Sequence, residues 1–110
     1  MSTYTPDAWV IIKLVTPKDT LYKVLAGWYG GYAYGDSWKI NSGITVIRDL
    51  EHVYEIDGYS GSTYVCPKIT ERLTGLTASI LNSFEEQAKE NEGFSIEVVP
   101  ISEVIEFLKK

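Results

Sequence analysis

Ala8-Trp9-Val10-Ile11-Ile12-Lys13-Leu14-Val15 is apolar on both of its alternating faces, with Trp9, Ile11 and Val15 on one and Val10, Ile12 and Leu14 on the other. A strand with one wet face alternates apolar and polar residues, whereas a strand apolar throughout has to be covered on both sides. Residues 8–15 therefore predict a strand with structure packed above and below it. Thr16-Pro17-Lys18-Asp19 follows as a turn with Pro in its second position, and residues 20–28 return as a second strand. In that strand Tyr22, Val24 and Ala26 make the more uniformly apolar face, while Lys23 between Leu21 and Leu25 marks the wetter one.

Outward from this hairpin, residues 1–7 are polar, contain Pro6 and read as an extended arm. Downstream, residues 30–37 read as a glycine-rich loop, residues 38–41 as a third strand, and Asn41-Ser42-Gly43 as a turn or bulge. Residues 44–49 and 52–57 alternate as an antiparallel pair closed by Leu50-Glu51; a turn at residues 58–62 leads to a short strand, 63–66, stopped by Pro67. Residues 68–75 fit neither the helical nor the strand spacing. From residue 76 to 91, Leu76, Ile80, Leu81, Phe84 and Ala88 share one helical face and Glu85, Glu86, Lys89 and Glu90 the other, which predicts a helix capped near Thr77 and ended by Gly93. Residues 94–99 alternate as a last strand, and residues 102–110 predict a short helix with Ser102 as N-cap, Glu103 in its first turn and two Lys at its end. The expected fold class is α+β: one domain, a curled antiparallel β-meander of six or seven strands, the amphipathic helix across one face and a short C-terminal helix.

With 110 residues the chain is long enough to bury a core without cross-links, and its single Cys66 has no partner within the chain, which fits a reducing compartment or a small buried thiol. No apolar run approaches the roughly 20 residues of a membrane-spanning helix, and Met1-Ser2-Thr3 does not open a secretion signal, so a cytoplasmic setting without membrane attachment is expected. Ten basic against 15 acidic residues give a net charge of -5, with the cations scattered along the chain. Such a field disfavours polymeric nucleic acid, yet two or three converging cations could still hold a small anion.

Nucleophilic catalysis needs a nucleophile, a base and an orienting group within reach of one another, and the one His and one Cys lie in different segments. Metal-ligand spacing, a phosphate-binding Walker loop and a dinucleotide fingerprint are missing, so neither an enzyme nor a cofactor is expected. Two segments do carry binding equipment. Residues 28–43 (W-Y-G-G-Y-A-Y-G-D-S-W-K-I-N-S-G) bring two Trp and three Tyr among four Gly; residues 59–64 (Y-S-G-S-T-Y) repeat the combination of rings, hydroxyls and open backbone. Rings stack bases, and hydroxyls and glycine-flanked N–H groups hold phosphate or ribose oxygens. The plain structural alternative is open at both: rings as the centre of a small twisted sheet, and Ser60-Gly61-Ser62 as an ordinary hairpin turn.

The blocks Y-K-V-L-A-G-W-Y-G-G-Y (22–32), G-D-S-W-K-I-N-S-G-I (35–44) and G-Y-S-G-S-T-Y-V-C (58–66) resemble a family of small accessory proteins of tailed bacteriophages, over roughly residues 8–70. The resemblance implies a host-cytoplasmic, non-structural, host-interaction role and carries no catalytic residues. Two readings follow from it together with the aromatic segments. In the first, the protein sequesters a small anionic nucleotide-derived immune signal of the host without turnover. Trp28, Tyr32, Tyr34 or Trp38 would stack the base, with Tyr59 and Tyr64 as further rings; Ser60 and Ser62 would bind sugar or phosphate; Lys39 or Arg48 would neutralise charge. In the second, the aromatic surface docks directly on a host defence protein. An aromatic-rich sheet face also favours self-association, so a homo-oligomer is expected.

Overall fold

The computed structural model describes residues 2–30 and 35–109. Their order is β1 (Thr3–Tyr4), β2 (Ala8–Val15), β3 (Thr20–Trp28), β4 (Ser37–Ile40), β5 (Ile44–Asp49), β6 (Val53–Gly58), β7 (Thr63–Pro67), a 3-10 turn (Lys68–Thr70), α1 (Gly75–Lys89), β8 (Ser95–Val99) and α2 (Ile101–Leu108). The class is α+β, as expected. The finer layout differs from one sheet of six or seven strands. Eight strands among the described residues form two four-stranded sheets, β1-β7-β6-β5 and β4-β3-β2-β8, and the 1–7 arm supplies β1, which runs parallel to β7 through Thr3↔Thr63 and Tyr4↔Tyr64.

Strand β2 is central in the second sheet, paired with β3 on one side and β8 on the other, so that Ile11 lies opposite both Val24 and Val99. Its two apolar faces are both used. Trp9 and Ile11 enter a core between the sheets with Tyr22, Val24, Ile56 and Tyr64, while Val10 and Ile12 join Leu25 and Leu81 under α1. Fully burying each such side chain contributes about 1.5–3 kcal/mol, and double coverage is why β2 carries no polar residue before Lys13. Trp9 also donates its indole N–H to the Pro67 carbonyl at 2.8 Å, fixing the end of β7 against the second sheet.

Helix α1 begins at Gly75, one residue before the expected start, and its cap lies three residues before the expected Thr77. Thr74 is its N-cap: the Thr74 hydroxyl accepts from the Thr77 N–H at 3.0 Å, and the Thr77 hydroxyl accepts from the Thr74 N–H at 2.7 Å. Thr77 is thus the reciprocal half of a capping box. Both threonines lie over Gly27 of β3, where a Cβ would stand 2.9 Å from each threonine methyl, so the helix start packs directly on strand backbone. The cap of α2 also differs from expectation. Ser102 lies inside the helix and Pro100 is at the N-cap position, which offers no side-chain acceptor; a carboxylate oxygen of Glu71, from the segment that fitted neither spacing, accepts the Ile101 N–H at 3.1 Å instead. Among the described residues no helix is long and apolar enough to cross a membrane.

Candidate functional site

Where β3 ends and β4 begins, the register sets Trp28 opposite Ser37, Gly27 opposite Trp38 and Ala26 opposite Lys39. Paired residues share a face and neighbours alternate, so Trp28, Ser37 and Lys39 share the face that Ala26 turns toward the first sheet, and Trp38 is on the helix face with Gly27. The two tryptophan side chains therefore leave the sheet on opposite faces, although both residues border the depression described next. Tyr4 of β1 meets the first group. Its ring lies 6.4 Å from Trp28, nearly edge-on at 72°, and 5.2 Å from Tyr64, while the Lys39 ammonium stands 5.0 Å from its centroid. The Trp28 indole N–H donates to the Thr5 carbonyl at 2.9 Å, and the Tyr29 N–H to the Asp7 carboxylate at 2.8 Å, which ties the 2–7 segment to the end of β3.

Together these residues border an open depression of about 480 Å³, lined by Tyr4, Trp28, Trp38, Lys39 and the hydroxyl residues Thr3, Thr5 and Ser37. Lys39 is the one cation in that lining, and among the described residues no carboxylate lies within ion-pair distance of it. A cation over a ring at an exposed site is held by roughly 0.5–1 kcal/mol, enough to orient the side chain and little enough to leave it available to an anion. The arrangement offers an aromatic edge and face, hydroxyls and one positive charge, with no nucleophile–base pair.

The other expected residues distribute as follows. Trp38, 36% exposed, leans on Phe84 of α1 with ring centroids 6.0 Å apart. Arg48 is absent from the depression: it lies on the solvent face of the first sheet, clamped between Glu55 (2.9 Å) and both carboxylate oxygens of Asp57 (2.9 and 2.7 Å). Those bonds, joined by one from the Thr63 hydroxyl, hold the Asp57 carboxyl below its ordinary range and engage all three guanidinium nitrogens with carboxylates of the same sheet. Tyr59, 70% exposed, projects from the 58–62 turn. Ser60 is occupied locally, its N–H donating to the Ser42 hydroxyl at 2.9 Å, and the Ser62 carbonyl accepts from the Gly58 N–H at 3.0 Å, as in an ordinary hairpin turn. The two equipped segments do meet, but through Ser42, Gly43 and this turn rather than through their rings. Gly43, at φ +133°, lets the Tyr59 ring close over it. Tyr64 is 3% exposed; burial foremost pushes its hydroxyl pKa up, and it supports Tyr4 from the core. Tyr32 and Tyr34 lie outside the described residues.

Cys66 is fully buried, and burial pushes its thiol up to about 12, so no thiolate forms near neutrality. His52 is exposed beside Glu51, and among the described residues no three His, Cys, Asp or Glu side chains gather as a metal site. The residue that sequence reasoning missed is Tyr4, with Thr3 and Thr5 beside it. The available signal was Thr3-Tyr4-Thr5, a run of strand-forming residues inside the polar arm. Compared with known proteins, the chain matches no family model, no curated protein and no solved structure.

Proposed function

We propose that this chain is a phage accessory protein that binds a small nucleotide-derived signal in the host cytoplasm and sequesters it without turnover. The observation that carries the reading is the Lys39 ammonium over the Tyr4 ring, beside Trp28, in a depression bordered by three hydroxyl residues. In this reading the base stacks on Trp28 and Tyr4, which is worth about 1–3 kcal/mol per base. Lys39 meets a phosphate, and Thr3, Thr5 and Ser37 hydrogen-bond ribose or phosphate oxygens. The phage setting rests on the resemblance of residues 8–70. Sequestration rather than catalysis fits a site whose polar groups are hydroxyls and an ammonium, which orient a ligand but do not activate water.

Calorimetric titration with cyclic dinucleotides and ADP-ribose derivatives tests the reading. Saturable binding that Lys39→Glu weakens more than tenfold (about 1.4 kcal/mol per factor of ten), with unchanged melting temperature, supports it; absence of heat for every nucleotide counts against it. A second reading is favoured by β4, an edge strand of its sheet with Trp38 on it and the exposed Tyr29 nearby. An unpaired edge can accept a strand from a host defence protein or from a second copy of this chain, giving the homo-oligomer. Sedimentation that gives a monomer at micromolar concentration, together with recovery of one host protein on an affinity column, selects host-protein docking.

A further inference from the structure

On the opposite face of the second sheet, between its strands and the C-terminal half of α1, runs a groove of about 440 Å³. Ile12, Leu14, Ile40 and Ile96 floor it from β2, β4 and β8, and Phe84 and Phe94 stand at its walls. One cation enters this apolar lining. Lys23 of β3, opposite Ile12 in the register, is half-buried, and among the described residues no carboxylate lies within ion-pair distance of it. The side-chain amides of Gln87 and Asn91 complete the polar part. Lys23 brings a positive charge without a carboxylate partner to an otherwise largely apolar lining, so an anion that carries its own apolar surface complements both parts of the groove together.

We propose that this groove binds a small amphipathic carboxylate, with its alkyl chain along Ile12, Ile40, Phe84 and Ile96 and its carboxylate on Lys23. A sugar or a nucleotide finds too few hydrogen-bonding groups on this floor. An added peptide strand would pair at the outer edge of β4 or β8 and not on this face. The site is separate from the aromatic depression and does not depend on what that depression binds.

The test is titration of the isotope-labelled full chain with decanoate, and separately with decanol, followed by amide resonances. Saturable decanoate shifts are expected at Ile12, Lys23, Ile40 and Ala88. Lys23→Met keeps the apolar stem and removes the charge; it should weaken decanoate on the order of tenfold and leave decanol unchanged. Ala88→Phe, which fills the groove from α1, should abolish both, with Ala88→Leu as the milder filling variant if the melting curve shows loss of fold. No saturable shift below the micelle concentration, shifts confined to other residues, or decanoate binding indifferent to Lys23→Met would each overturn the proposal.

Discussion

Trp9 and Trp38 are the same residue type in two different physical situations. Trp9 is fully buried and hydrogen-bonded to the Pro67 carbonyl, so Trp9→Ala opens a core cavity and orphans an acceptor; a loss of about 3–5 kcal/mol is expected. Trp38 is partly exposed and rests on one ring, Phe84, so Trp38→Ala should cost about 1–2 kcal/mol, the contribution of an aromatic pair plus partial burial. Chemical denaturation of both variants checks the contrast, and equal losses would place Trp38 in the core. The sequence supports the burial of Trp9, since every residue of its strand from Ala8 to Ile12 is apolar. It does not separate Tyr59 from Tyr64. Both sit in one Tyr-, Ser- and Gly-rich run, and only the pairing of β7 with β1 and β6 sends Tyr64 inward while the turn sends Tyr59 out. Arg48 fails as a ligand cation for a similar reason: its carboxylate partners come from β6, across a hairpin whose register sets Glu55 opposite and Asp57 diagonal to it.

The elements most legible in the sequence are those stabilised by their own side-chain pattern: β2 by apolar residues on two faces, α1 by its apolar stripe, and the hairpins by their Pro and Gly turns. Least legible are those that exist through a distant partner. Strand β1 has two residues and is a strand only because β7, some sixty positions on, hydrogen-bonds to it. The division into two sheets depends on where Asn41 interrupts the meander: its side-chain oxygen accepts the Val24 N–H at 2.9 Å in place of the next strand residue. Helix caps fall between these extremes. Thr74→Ala removes the capping box and should cost α1 about 1 kcal/mol, within the 0.5–2 range of N-cap losses. Ser102→Ala should be nearly silent in the same thermal melts, since Glu71 caps α2; Glu71→Ala should cost what Ser102→Ala does not. A large loss from Ser102→Ala would contradict this assignment.

For the molecule as a whole, two of the side chains that tie elements together, Asp57 and Tyr22, make stability depend on pH. The Asp57 carboxyl is held below its ordinary 3.8, first by hydrogen bonds from Arg48 and then by the Thr63 hydroxyl. A depressed carboxyl stabilises the fold above its unfolded value, and that stabilisation is lost as pH falls through the native one. Asp57→Asn should therefore flatten the acid limb of a melting-temperature profile. At the other end, burial and the hydrogen bond to Glu103 raise the Tyr22 hydroxyl above 10.0. That contribution is complete below the unfolded value and lost as pH rises through the native one, so Tyr22→Phe should flatten the alkaline limb. Neither group borders the aromatic depression, so ligand binding and pH stability are separable properties. The most direct test of the central claim is equilibrium dialysis of the protein against a mixed nucleotide pool, with mass spectrometry of what heating releases. One nucleotide-derived anion is expected to be retained by the native chain, intact after release, and to be lost from Trp28→Leu and Lys39→Glu. Retention of nothing, or equal retention by both variants, would contradict it.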